Sequence, residues 1–205
     1  MGCTNSISYN KHSIKTFTQI NDPIKSRIVF TLKCQIELTG PEIKTVQQTW
    51  PSLAKDLQGN GLQLFLRIFE ICPEVKLLFK VENVRHSQLA RNATIQAHGK
   101  RFISAIGSAV DCLENFDREG NTLCKFLFDL GQQHQNFKGF KPEYFEIFYE
   151  ALMCQWAICM RDRFTPDVAN AWSHLFVFLM EKLKEGYYSH EVSYEAHLKN
   201  NQQYH

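Results

Sequence analysis

Apolar positions recur three and four residues apart from Ile43 to Leu183, and no segment alternates with a period of two. That spacing gathers apolar side chains on one helical face, so the chain predicts an all-α domain of about six to eight helices. The first stripe is Ile43, Val46, Trp50, Leu53 and Leu57. It opens at Thr39-Gly40-Pro41-Glu42, where Thr39 can cap free N–H groups, Pro41 suits the first turn and Glu42 completes a capping box. Pro51 should kink this helix or lie where one lost hydrogen bond is tolerated. Gly59-Asn60-Gly61 should break the pattern.

A second helix carries Leu62, Phe65, Phe69 and Cys72 and ends at Pro73. A short apolar turn, Leu77-Leu78-Phe79, precedes a polar stretch over 80–92. A third strong helix shows Ile95, His98, Phe102, Ile106, Ala109 and Leu113, and a shorter one Leu123, Phe126, Leu127, Leu130 and His134. Pro142 opens a helix with Phe145, Phe148, Leu152 and Trp156. Thr165-Pro166-Asp167 caps the last, which carries Trp172, Leu175, Phe176, Leu179 and Leu183 and should stop at Gly186. The expected organisation is a flexible arm (1–38), a helical domain (39–187) and a frayed polar tail (188–205).

Composition narrows the function classes. A chain of 205 residues suffices for one domain with a substantial core. A net charge of +2, without a Lys/Arg cluster in the domain, argues against nucleic acid as a partner. The seven cysteines show no CxxC pair and no zinc-ligand spacing. Their odd number, without a secretory apolar segment, points to a reducing compartment and mostly free thiols. A facultative disulfide among Cys72, Cys154 and Cys159 stays open. No apolar run reaches the ~20 residues that span a bilayer, so any membrane contact is peripheral.

Two residues sit against this pattern. His98 and His134 each occupy an apolar stripe, on different helices, and most of the sixteen phenylalanines lie between 65 and 178. Each histidine alone could be an ordinary core residue satisfied by a carbonyl. Together, among flat aromatic rings, they point to a flat iron cofactor held between two walls.

The N-terminus adds a second chemistry. Met1-Gly2 with Ser6 is the pattern for myristoylation of Gly2 once Met1 is removed, and the adjacent Cys3 is a palmitoylation candidate. One myristoyl chain holds a membrane only marginally, so a second chain or a basic patch is needed. The arm supplies Lys11, Lys15, Lys25, Arg27 and Lys33 against Asp22 and Glu37. Such a segment is often merely solvated; behind an acylation signal it predicts a lipid-anchored protein on the cytoplasmic face of the plasma membrane.

The order of helices and their markers resembles the globin family over residues 39–187. Trp50 resembles the Trp of the first globin helix, Pro73 and Phe79 the short third helix and the corner Phe, and His98-Gly99 the distal pair. Leu130 with His134 resembles the haem-bearing helix, Pro142 and Thr165-Pro166 the starts of the last two helices, and Trp172 the Trp of the final one.

The resemblance implies a globin fold around haem b, with His134 as proximal iron ligand and its other ring nitrogen in need of an acceptor. It places Leu130 beneath the ring, Phe79 on the porphyrin edge, Phe65 over the ligand pocket and Phe140 below the haem. His98 would hydrogen-bond O2 or bind the iron itself. Phe102 stands where many globins have Val and narrows the pocket. Arg101 is a candidate for a haem propionate, or a solvated surface charge. Phe69, Phe145 and Phe148 read as generic core, and the extra residues near 114–121 as an insertion in a surface connection.

The acylated start, the long arm and both histidines are most similar to the globin X lineage. That implies a membrane-associated, bis-histidyl globin with a redox-protective or nitrite/NO role. Three functions follow: binding of O2, NO or CO; nitrite reduction or peroxidase-like chemistry fed by a reductase; or an acylated helical adaptor without haem.

Overall fold

The computed structural model describes residues 38–113 and 122–202, with side chains as far as Ser189. Gly2, Cys3, the basic arm and the 114–121 connection lie outside the described residues. Among the described residues seven α-helices follow one another: α1 (Gly40–Ala54), α2 (Leu57–Ile71), α3 (His86–Leu89), α4 (Ala93–Asp111), α5 (Thr122–Gln135), α6 (Tyr144–Met160) and α7 (Pro166–Gln202). Short 3-10 segments cover Pro73–Phe79 and Arg161–Arg163, and the described residues contain no strand. The all-α expectation holds.

α1 starts at the expected capping box. The Glu42 N–H donates to the Thr39 hydroxyl at 3.4 Å, and the Glu42 carboxylate accepts from the Thr39 N–H at 2.8 Å. The helix continues through Pro51, which faces solvent, to Ala54. Gly59-Asn60-Gly61 does not break the pattern; those residues lie inside α2. The break falls earlier, at Lys55-Asp56. There the Asp56 carboxylate accepts from the Gly59 N–H at 2.7 Å, and the Asn60 amide donates to the Leu53 carbonyl at 2.7 Å, so both helix ends are satisfied.

Gly61 belongs in the helix for a packing reason. A Cβ there would fall on the backbone of Gly99, and one at Gly99 on the backbone of Gly61. α2 and α4 therefore cross in direct backbone contact, which carries His98, beside Gly99, up to Phe65 on the facing helix.

A second expectation fails at the other end. α7 does not stop at Gly186 but runs to Gln202. Here too glycine makes room: the Phe128 carbonyl of α5 fills the space a Cβ at Gly186 would take.

The core is aromatic. Trp172 packs on Trp156 at 5.6 Å, Trp50 at 6.3 Å and Phe176 at 5.3 Å, and its indole N–H donates to the Thr49 hydroxyl at 2.9 Å. Phe126, placed on the α5 stripe by spacing, instead faces outward, while its neighbour Leu127 is buried. No disulfide joins Cys72, Cys154 and Cys159. Among the described residues no helix is long and apolar enough to cross a membrane.

Candidate functional site

Two aromatic walls face one another within the helical core. On one wall, His98 of α4 lies edge-to-face against Phe65 of α2 at 5.0 Å and against Phe79, the last residue of the first 3-10 segment, at 5.2 Å. Phe65 also meets Phe79 at 5.5 Å and Phe102 at 6.0 Å. Such contacts favour tilted rings over stacked ones and fix the orientation of the imidazole. On the other wall, His134 near the end of α5 packs on Phe140 at 4.9 Å and on Phe145 at 5.7 Å. Phe148 of α6 joins the walls, touching Phe102 at 5.9 Å and Phe140 at 6.4 Å.

The two imidazoles are prepared differently. The Nδ1 of His134 lies 2.8 Å from the Leu130 carbonyl oxygen. A carbonyl only accepts, so Nδ1 carries the proton and Nε2 keeps its lone pair. Burial lowers the proton affinity of His134, and the bond to Leu130 offsets part of that. For His98, burial, then the nearby charges of Arg101 and His134, push the value down to about 4. Both rings are neutral near pH 7, the form in which imidazole binds metal.

A family model described as Globin matches residues 62–183. The chain belongs to the globin family. It is similar to a polymeric-component globin (P3) of Glycera dibranchiata, 32% identical over 120 residues, covering 58% of this chain and 78% of that protein. It is similar to the neuroglobin of Tetraodon nigroviridis, 26% identical over 153 residues, covering 74% and 93%. An anaerobic nitrite reductase of Physcomitrium patens is 27% identical over 141 residues, covering 68% and 76%. Among solved structures, a hexacoordinated haem protein from an anhydrobiotic tardigrade shares the fold, with TM-score 0.69 and 23% identity, covering 75% of this chain and 97% of that one.

The cofactor of this globin is haem, and the residues present fit it. The described residues hold no cluster of three or more His, Cys, Asp or Glu that could grip a bare metal ion. The histidines act singly, from opposite walls and among flat rings. That arrangement suits an iron already carried in a flat macrocycle.

The expected site residues come together with few exceptions. Phe65, Phe79, His98 and Phe102 form one wall; His134 and Phe140 belong to the other. Leu130 is half-buried on the His134 helix, and the acceptor is its own carbonyl. Arg101 is exposed, with Nη2 3.5 Å from His98 Nδ1, at the outer edge of hydrogen bonding. It stands beside His98 with its guanidinium open to solvent.

Phe145 and Phe148 are core residues as expected, and their rings also meet His134 at 5.7 Å and Phe102 at 5.9 Å; Tyr187, which the spacing does not single out, touches Phe140 at 5.9 Å and Phe145 at 6.3 Å. The only cue was the density of aromatic residues after His134, which an ordinary core shares. A separate cleft of about 250 Å³, lined by Gln63, Arg67, Glu70, His86 and Gln155 among others, shares no residue with either histidine wall.

Proposed function

We propose that this globin binds its haem iron through His134, with His98 as a second, displaceable ligand, and takes O2, NO or CO in a redox or protective role. The observation that carries this reading is the His134–Leu130 bond, which leaves Nε2 free on a half-buried neutral imidazole across from a second one. When bound, haem supplies an iron that takes small diatomic ligands and exchanges single electrons. His134 holds a fixed ring orientation through Leu130. His98 is braced by Phe65 and Phe79, so its ring stays directed into the slot. An internal ligand lowers apparent gas affinity in proportion to the open fraction. Phe102 restricts the space beside His98, and Arg101 is available to a haem propionate.

A second reading, nitrite reduction with electrons from a reductase, is favoured by the similarity to the Physcomitrium patens protein named as an anaerobic nitrite reductase. The membrane part of the proposal rests on Gly2, Cys3 and the basic arm, which would hold the protein at the inner leaflet. The absorption spectrum of the deoxygenated ferrous protein tests the iron ligation. A six-coordinate low-spin spectrum is expected. A five-coordinate one would remove His98 as a ligand, and absence of a Soret band would favour a helical adaptor.

A further inference from the structure

We infer that Gly131 and Gly186 are positioning residues for His134, acting through a backbone-to-backbone seat between α5 and α7. The inference rests on the reading of His134 as the iron ligand.

α5 is short, 14 residues, and carries His134 in its last turn. A helix that presents a metal ligand must hold it within roughly 0.5 Å. Its hold comes from α7. A Cβ on Gly131 would fall on the Leu183 carbonyl oxygen and lie 3.0 Å from the Tyr187 nitrogen. A Cβ on Gly186 would fall on the Phe128 carbonyl oxygen. The pairs Phe128–Gly186 and Gly131–Leu183 run in opposite directions along the two helices, so this is one antiparallel seat with a glycine on each side.

The obstructing atoms are helix backbone, which cannot rotate away as a side-chain tip would. A methyl group needs about 3.5 Å from its neighbours, so either substitution would drive the helices apart by on the order of 1 Å. Gly131 lies three residues before His134, and the displacement would reach the imidazole directly.

Side chains lock the same seat. Gln132 donates to the Ser189 hydroxyl at 3.0 Å, and Ser189 donates to the Gly186 carbonyl at 2.7 Å. The Tyr187 hydroxyl donates to the Phe140 carbonyl at 3.3 Å, and the Tyr187 ring meets Phe140 and Phe145, two of the rings against His134. The continuation of α7 past Gly186 as far as Ser189 belongs to this seat. A helix ending at Gly186 would lack Tyr187 and Ser189, and the lock with them.

The test uses the full chain reconstituted with haem in a His98→Ala background, where the ferrous iron–imidazole stretch is visible by resonance Raman. Gly131→Ala and Gly186→Ala are expected to shift that band and speed haem transfer to an excess of scavenging apoprotein by about 10–100-fold, as loss of outer-shell support does at metal sites. Tyr187→Phe should move both readouts in the same direction by less. Gly107→Ala is the control, because its Cβ would meet the Trp50 ring at 2.7 Å, away from His134. It should lower apoprotein stability and leave the band in place.

If Gly131→Ala and Gly186→Ala behave like Gly107→Ala, the inference is overturned. Should both fail to fold, an unmoved band and unchanged haem loss in Tyr187→Phe overturn it instead. A band that persists in His134→Gly defeats the proximal reading itself. A band lost in His134→Gly but unmoved in the glycine variants defeats only the positioning role.

Discussion

His134 donates its Nδ1 proton to the carbonyl oxygen of Leu130, 2.8 Å away and one turn earlier on the same helix. The bond settles the tautomer, orients the ring and leaves the far nitrogen as a lone-pair donor. A core histidine needs only one such partner; a metal ligand needs that partner on one nitrogen and freedom on the other.

His134→Ala is therefore expected to lower haem affinity by more than about 100-fold, beyond the effect of losing an outer-shell partner, while the helical fold persists. Soret absorbance per mole of protein, read beside the far-ultraviolet circular dichroism, measures both. Haem retention like that of the wild type would place the ligand elsewhere.

His98→Ala should turn a six-coordinate ferrous spectrum into a five-coordinate one. Apparent CO affinity should rise by the reciprocal of the wild-type open fraction. A variant whose spectrum and affinity match the wild type shows that His98 only lines the pocket.

Phe102, in the His98 wall, touches Phe65 and the joining ring Phe148. Phe102→Val should cost about 1–3 kcal/mol of stability through the cavity it leaves. It should also speed CO rebinding after flash photolysis. Slower or unchanged rebinding would mean that Phe102 does not narrow the access path.

Glu42 links the start of α1 to His174 on α7. Burial raises its proton affinity, but the Thr39 backbone and hydroxyl bonds and the neighbouring His174 outweigh that, and the net value lies below the ordinary 4.5. A carboxylate so lowered stabilises the fold above about pH 4.5, and that contribution fades as pH falls through the folded value. Glu42→Ala should thus cost about 1 kcal/mol at pH 7, as loss of a helix cap does, and less at pH 3. Urea unfolding at both values decides it; an equal cost at both would discard the electrostatic part.

Gly2→Ala should move the protein from membrane to soluble fractions, because palmitoylation and a basic arm are each weak without the first acyl chain. Continued membrane fractionation would rule out acylation as the anchor.

Much of this protein follows from local pattern alone. The spacing of apolar residues determines that helices form, Thr39 and Glu42 determine where the first begins, and His98 and His134 stand out as imidazoles on apolar faces. These are short-range properties, readable within a turn or two.

Glycine is where local reading fails, because its two uses look identical in one dimension. Gly59-Asn60-Gly61 and Gly186 read as breaks, yet Gly61 and Gly186 lie inside helices, where a distant backbone takes the place of a Cβ. Gly61 meets Gly99, and Gly186 meets Phe128, partners that no local window contains. The same holds for Phe145 and Phe148, ordinary core residues by spacing, and for Tyr187, just past the expected helix end; they meet His134 or Phe140 only because α6 and α7 pack beside α5. The sequence determined which side chains could serve a haem; tertiary packing decided which ones stand together around His98 and His134, because helix-to-helix distances are set by residues far apart in the chain.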